Sequence, residues 1–180
     1  MKKTILFCLL ATFVLTACEK QQGEKRATMP KEYTSAYQEI YGHCYDSVPY
    51  AVVALDLYSD GLSLNSQHRM QGTGYNLYLS DIFVPDSLLE NGTYHSSDSI
   101  KPFTFLPGAE FEGTPVGIYL LYIEDGMLKD VQMLDSGTVV VSDAANHMRD
   151  LKFTLYYTSA YGEKAIYETH FQGKLQPYKK

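Results

Sequence analysis

Tryptophan is absent from this chain of 180 residues, cysteine occurs three times and histidine five. Each scarcity removes a class of chemistry. Paired carboxylates could hydrolyse a glycoside, but there is no indole to serve as a sugar platform, and a sequence alone places no two acids at the required separation. The histidines are scattered, with no His-Glu-x-x-His pair to hold zinc. Asp143, His147 and Asp150 share one polar stretch, and His95 and Asp98 another. Such residues also build hairpin loops for turn and solubility reasons, so no metal or cofactor is expected. Neither a Gly-x-Ser-x-Gly elbow nor a Ser-x-x-Lys motif is present, which leaves the familiar acyl-transfer signatures unfilled. Gly72-Thr73-Gly74 is too short to cradle a phosphate and reads as a bulge or tight turn. With 15 basic against 21 acidic side chains, the formal charge is −6. An acidic surface repels phosphate backbones, so nucleic acid is not an expected partner.

Long apolar runs are also missing, with one exception at the start. Lys2 and Lys3 precede an apolar run over residues 5–15, broken only by Thr12, and small residues then lead to Cys18. That order is a secretory signal. It is too short to span a bilayer, which takes about 20 residues. Leu15-Thr16-Ala17-Cys18 resembles the bacterial lipobox, and the resemblance implies cleavage before Cys18 and acylation of its thiol and new amino group, palmitate included. More than one acyl chain makes such an anchor stable. Glu19, where aspartate would signal inner-membrane retention, points by the same resemblance to the outer membrane, with exposure at the cell surface left open. Loss of residues 1–17 removes Lys2 and Lys3 and no acid, leaving 13 basic and 21 acidic residues, a charge of −8. Cys8 leaves with the signal and Cys18 goes to lipid, so Cys44 is a lone thiol, expected to be buried and inert.

Three segments follow: a signal over residues 1–17, a lipidated cysteine with a disordered, flexible tether over 18–34, and one all-β domain over 35–180. The tether is polar and reaches about 20–24 Å as a coil. Tyr33, Tyr37, Ile40 and Tyr41 also fit one face of a short helix, so this boundary is ambiguous. Beyond it, period two prevails. Leu151, Phe153, Leu155 and Tyr157 alternate with polar neighbours, a glycine-bearing turn covers residues 159–163, and Ala165, Tyr167, Thr169 and Phe171 alternate again. With the strand at residues 139–142, this predicts a three-stranded meander. Residues 50–57, 75–84 and 118–124 read as further strands. The last is apolar on both faces, as in a central strand. Ser59-Asp60-Gly61, Glu90-Asn91-Gly92 and Glu124-Asp125-Gly126 read as hairpin turns. Many short strands indicate an antiparallel β-sandwich, with a closed lipocalin-like β-barrel as the alternative.

Residues 89–98 echo residues 134–143 (Leu-Glu-Asn-Gly-Thr against Leu-Asp-Ser-Gly-Thr), each after a Gly-Thr segment and a Tyr-Leu strand. A duplication explains this, and so does ordinary turn-then-strand chemistry. The lipobox and tyrosine-rich acidic body, with Tyr-Leu-Ser-Asp at 78–81, Phe-Leu-Pro-Gly at 105–108, Ile-Glu-Asp-Gly at 123–126 and Phe-Gln-Gly-Lys-Leu at 171–175, resemble small all-β lipoproteins of Bacteroidetes-type gut bacteria. That group is largely uncharacterised, so the resemblance implies fold and location and no activity.

One pattern points to recognition. Tyr37, Glu39, Tyr41, His43 and Tyr45 recur at every second residue, opposite Ala36, Gln38, Ile40, Gly42 and Cys44. As a strand, this puts three rings with polar neighbours on one face, and tyrosine combines rigid apolar area with a hydroxyl. Tyrosine also simply fills strands well. On a strand His43 and Cys44 point to opposite faces, which disfavours a thiol–imidazole pair. The expectation is a non-enzymatic binding or surface-assembly module, held to the membrane through lipid on Cys18, with a glycan or a surface protein as partner. The alternatives are a carrier of a small apolar ligand and a structural subunit of a surface complex.

Overall fold

The computed structural model describes residues 28–45 and 48–178. The signal segment, the lipid-accepting Cys18 and the tether as far as residue 27 lie outside the described residues. The rest is all-β. In chain order the strands are β1 Glu32–Tyr33, β2 Ser35–Gly42, β3 Ala51–Tyr58, β4 Leu62–Leu64, β5 Met70–Gly72, β6 Gly74–Val84, β7 Gly92–Ser96 and β8 Thr104–Phe105. They continue with β9 Ala109–Phe111, β10 Thr114–Val116, β11 Ile118–Glu124, β12 Met127–Met133, β13 Ser136–Ala144, β14 Met148–Thr158, β15 Lys164–Gly173 and β16 Leu175–Pro177.

Twelve strands form one sheet in the order β1-β15-β14-β13-β7-β8-β6-β3-β2-β16, with the β11–β12 hairpin branching from β6. The ends of that order are neighbours in the chain. Only Thr34 separates β1 from β2, and only Lys174 separates β15 from β16. Glu32 and Tyr33 pair in parallel with His170 and Phe171, while Ala36, Tyr37 and Gln38 pair with Leu175, Gln176 and Pro177. The curled sheet is thus joined by a short parallel seam. The inward face of this one curled sheet encloses a single core, so the fold is not two separate sandwich sheets, and the seam gives it the connectivity of the barrel alternative. Leu55, Leu57, Leu77, Leu79, Phe153 and Phe171 meet inside.

Alternation explains the arms. Leu151, Phe153 and Leu155 of β14 are buried while Lys152 and Tyr156 are exposed, because successive side chains leave opposite faces of a strand. The meander β13-β14-β15 is antiparallel throughout, as predicted. At Asp125-Gly126 both residues have positive φ, 51° and 75°, the conformation that a two-residue hairpin turn requires. Glu90-Asn91-Gly92 departs from expectation: it leads into β7, whose neighbours are β8 in parallel and β13, so it closes no hairpin.

Tyr33 is buried, and its hydroxyl meets that of Tyr167 at 2.9 Å. Tyr167 spends its single proton on the Pro30 carbonyl at 2.8 Å, so Tyr33 is the donor between them. The ordered domain therefore takes in the last residues of the stretch read as tether. The helical option there is replaced by strands.

The two copies of the internal echo lie against each other. Tyr94 faces Val139, Thr93 faces Val140 and His95 faces Thr138, so each residue meets its counterpart's neighbourhood across a local two-fold. The preceding strands do the same, with Tyr78 opposite Tyr119 and Leu77 opposite Leu120.

Candidate functional site

The outer face of β2, β3, β6 and β11 carries a continuous row. Tyr37, Asp56, Tyr78 and Tyr119 stand in direct cross-strand register. One step along, Tyr58, Asn76 and Leu121 form a second row. The rings of Tyr78 and Tyr119 lie 5.2 Å apart at 31°, and Tyr37 meets Tyr58 edge-on at 5.7 Å and Tyr178 at 6.3 Å. Such pairs add stability beyond burial alone.

Two carboxylates sit among these rings. Tyr58 and Asn76 both donate to Asp56. Glu39 accepts from the Tyr41 hydroxyl at 2.8 Å. Tyr41 lies 3.3 Å from the Tyr78 hydroxyl, and since its own proton goes to Glu39, Tyr78 is the donor. Glu39, Ala54, Asp56, Tyr78 and Tyr178 line a cleft of about 110 Å³. On the other side of Tyr178 a groove of about 370 Å³ runs along Tyr37, His68, Gln176 and Pro177.

Burial sets the protonation of this face. It pushes the hydroxyls of Tyr41, Tyr58, Tyr78 and Tyr119 above the usual phenol range, and the neighbouring Asp56 or Glu39 carboxylates add to the effect. The hydroxyls are therefore neutral donors at physiological pH. Burial also raises the Asp56 carboxyl, helped by the Glu39 charge and opposed by the bonds from Tyr58 and Asn76. Because the folded value exceeds the unfolded one, Asp56 stabilises the fold below the ordinary carboxylate range. That contribution is lost as pH rises through the folded value. Asparagine does not titrate, yet it keeps an acceptor for Asn76 and a donor for Tyr58. Asp56→Asn is therefore expected to gain stability relative to the wild type as pH rises from the ordinary carboxylate range through the raised folded value. Urea unfolding at several pH values measures the difference, and a difference that does not change with pH would contradict the buried, raised carboxyl.

Of the residues singled out in the sequence, the structure brings Tyr37, Glu39 and Tyr41 onto this face through β2. Tyr37 is half-buried, in a small cluster with Tyr58, Leu62 and Ile123, so on this outer face its ring is partly covered while Tyr41 is exposed. A bulge between Ile40 and Gly42 breaks the register, and the strand ends at Gly42, whose φ is 66°. His43 and Tyr45 therefore leave the strand, and the period-two reading fails beyond Tyr41. His43 is exposed. Tyr45 returns to the face by another route: its ring packs on Phe83 at 5.9 Å and its hydroxyl donates to Asp81 at 2.7 Å. Burial and the Asp81 carboxylate push its hydroxyl up to about 12. Cys44, expected to be buried, is exposed, because the bulge carries it off the sheet before its side chain can turn inward. On the face opposite the row, Ala36 is in the core, but Ile40 is 52% exposed.

Asp56, Tyr58, Asn76, Tyr78, Tyr119 and Tyr178 were not recognised from the sequence. Asp56 offered a signal, as the one charge inside the apolar run at residues 51–57. The others lie on strands far apart in the chain, and only the sheet order assembles them. Among the described residues, no group of three or more His, Cys, Asp or Glu side chains is placed to hold a metal ion. Comparison of the chain with family models, with characterised proteins and with solved structures finds no match.

Proposed function

We propose that this protein is a lipid-anchored, non-enzymatic binding module of the outer membrane, and that its tyrosine–carboxylate face recognises a glycan. The observation that carries the reading is the convergence of Tyr37, Tyr41, Tyr78 and Tyr178 with Glu39 and Asp56 on an adjoining cleft and groove. Sugar hydroxyls donate to carboxylates, charge-assisted bonds being the stronger ones. The apolar C–H faces of a pyranose lie flat on aromatic rings, and tyrosine supplies that contact at low entropic cost. Neutral tyrosine hydroxyls give hydrogen-bond donors rather than nucleophiles, which suits binding better than turnover. A glycan-array screen of the full chain is the direct test. Reproducible hits support the reading, and a blank array contradicts it.

The anchor rests on the lipobox at Cys18. Cys18→Ala is expected to give an unlipidated precursor, because neither Cys8 nor Cys44 stands at the end of a lipobox. Metabolic labelling with a fatty-acid analogue measures this, and undiminished label on the variant would remove the anchor.

A second reading, a subunit of a surface assembly, is favoured by β12. It pairs with β11 on one side, and no other strand among the described residues pairs with it. Met127 and Leu128 on it are 60% and 56% exposed. An open edge with apolar side chains is a template for another strand. A blank array together with a concentration-dependent oligomer that Leu128→Lys abolishes would transfer the function to this edge.

A further inference from the structure

The inward-facing side chains of the curled sheet change character at one end. Along β14 the series Leu155, Phe153, Leu151 is buried in the core, and Arg149 comes next. Along β2, Ala36 is buried and Gln38 follows. Gln38 and Arg149 border a cleft of about 440 Å³, with Leu88 and Leu89 on one side and Lys174 and Leu175 at the β15–β16 junction. His147 of the 3₁₀ turn completes the rim. The opening lies on the opposite face of β2 from the tyrosines, since Gln38 alternates with Tyr37 and Glu39. Two cationic side chains reach it in a chain with a net charge of −6: Arg149, paired with Asp143, and Lys174.

The hydrogen bonds inside it are incomplete. Arg149 gives Nη1 to Asp143 Oδ1 at 2.8 Å and Nη2 to the Leu89 carbonyl at 2.9 Å. The other Asp143 oxygen accepts from Asn91 at 2.7 Å. That leaves Arg149 Nε and Gln38 Nε2, both shielded from solvent and both without a hydrogen-bond partner among the described residues. Folded proteins meet nearly all such donors, and an unmet one is destabilising. Two unmet donors beside a lysine call for an acceptor that arrives from outside. Leu88 is 57% exposed while Leu89 is buried, so an apolar strip leads away from the polar floor.

We infer that this end of the sheet binds the carboxylate of a small amphipathic acid. Its oxygens accept from Gln38 and Arg149, whose side chains turn their unmet donors into the cleft as it binds, Lys174 balances its charge, and its hydrocarbon lies along Leu88, Leu89 and Leu175. The volume falls within the range of about 300–1,000 Å³ usual for small-molecule sites. The site is separate from the tyrosine face and stands or falls independently of glycan binding.

Calorimetric titration of the full chain in phospholipid nanodiscs tests the assignment, with protein-free nanodiscs as the blank. The probes are hexanoate, hexanamide as its uncharged counterpart, and inorganic phosphate. Hexanoate is expected to bind at least about tenfold more tightly than hexanamide. Lys174→Gln and Gln38→Leu should each weaken it at least about fivefold. Gln38→Leu removes an unmet donor, so it is expected to fold at least as stably as the wild type, and a melting curve confirms this on the same sample. Equal affinity for hexanoate and hexanamide would overturn the inference, as would binding unchanged in both variants. No hexanoate binding up to about 10 mM, or phosphate bound as tightly as hexanoate, would overturn it too.

Discussion

Gly117→Ala is expected to destabilise the protein by about 2–5 kcal/mol, summing roughly 1–2 kcal/mol for left-handed backbone and 1–3 kcal/mol for overpacking. Gly117 has φ +74°, and a Cβ built on it would stand 2.0 Å from the Pro107 carbonyl oxygen. That neighbour is backbone and cannot swing aside. Nor can residue 117 retreat, because its N–H donates to Ser80 Oγ at 2.9 Å and its carbonyl accepts from the Ser80 N–H at 2.9 Å. These contacts hold β6 and β11 in register next to the aromatic row. Thermal unfolding should show a midpoint lower by about 5–15 °C for a domain of this size. A shift within about 1 °C would mean that the backbone there accepts a side chain freely.

Leu120→Ala is the second large effect, at about 2–5 kcal/mol, the range for emptying a packed interior position. Leu120 is 2% exposed and lies between Leu77 of β6 and Gln132 of β12. Ile118 and Ile123 are buried as well, whereas Leu121 faces the outer side and is only part-buried. The strand is thus flanked on both sides, with its outer face half covered. Denaturant unfolding measures the loss. A change under about 0.5 kcal/mol would mean that β11 contributes no packed interior.

How much of this was legible depends on range. The meander was readable because each of its strands alternates and the turns between them are short, so local pattern and register coincide. The all-β class followed from the same period. The sheet order did not, because the seam pairs residues near the start of the domain with residues near its end, and nothing local encodes that pairing. The candidate site shows the same division. Tyr37, Glu39 and Tyr41 share one strand, so their spacing revealed them. The pattern misled at His43, Cys44 and Tyr45, because the bulge and the positive φ of Gly42 end the strand before them and period two no longer holds. Asp56 and Tyr78 face Tyr37 only through pairing across three strands. Gln38, on the face of that strand opposite the tyrosines, borders the other cleft with Arg149, a residue more than a hundred positions away.

A glycan bound on the tyrosine–carboxylate face, as proposed, meets its outermost rings first. Tyr41 and Tyr45 are its most accessible rings, 41% and 36% exposed, and each ties a hydroxyl to a carboxylate, Glu39 or Asp81. Truncating them removes contact area while leaving Tyr37, Tyr58 and Tyr78 to hold the sheet. The decisive measurement is a glycan array probed with the full chain and with its Tyr41→Ser/Tyr45→Ser variant, alongside melting curves of both. The account predicts at least about a tenfold loss of glycan signal, with the midpoint within about 2–4 °C of the wild type. Glycan signals that survive the double substitution undiminished would contradict it.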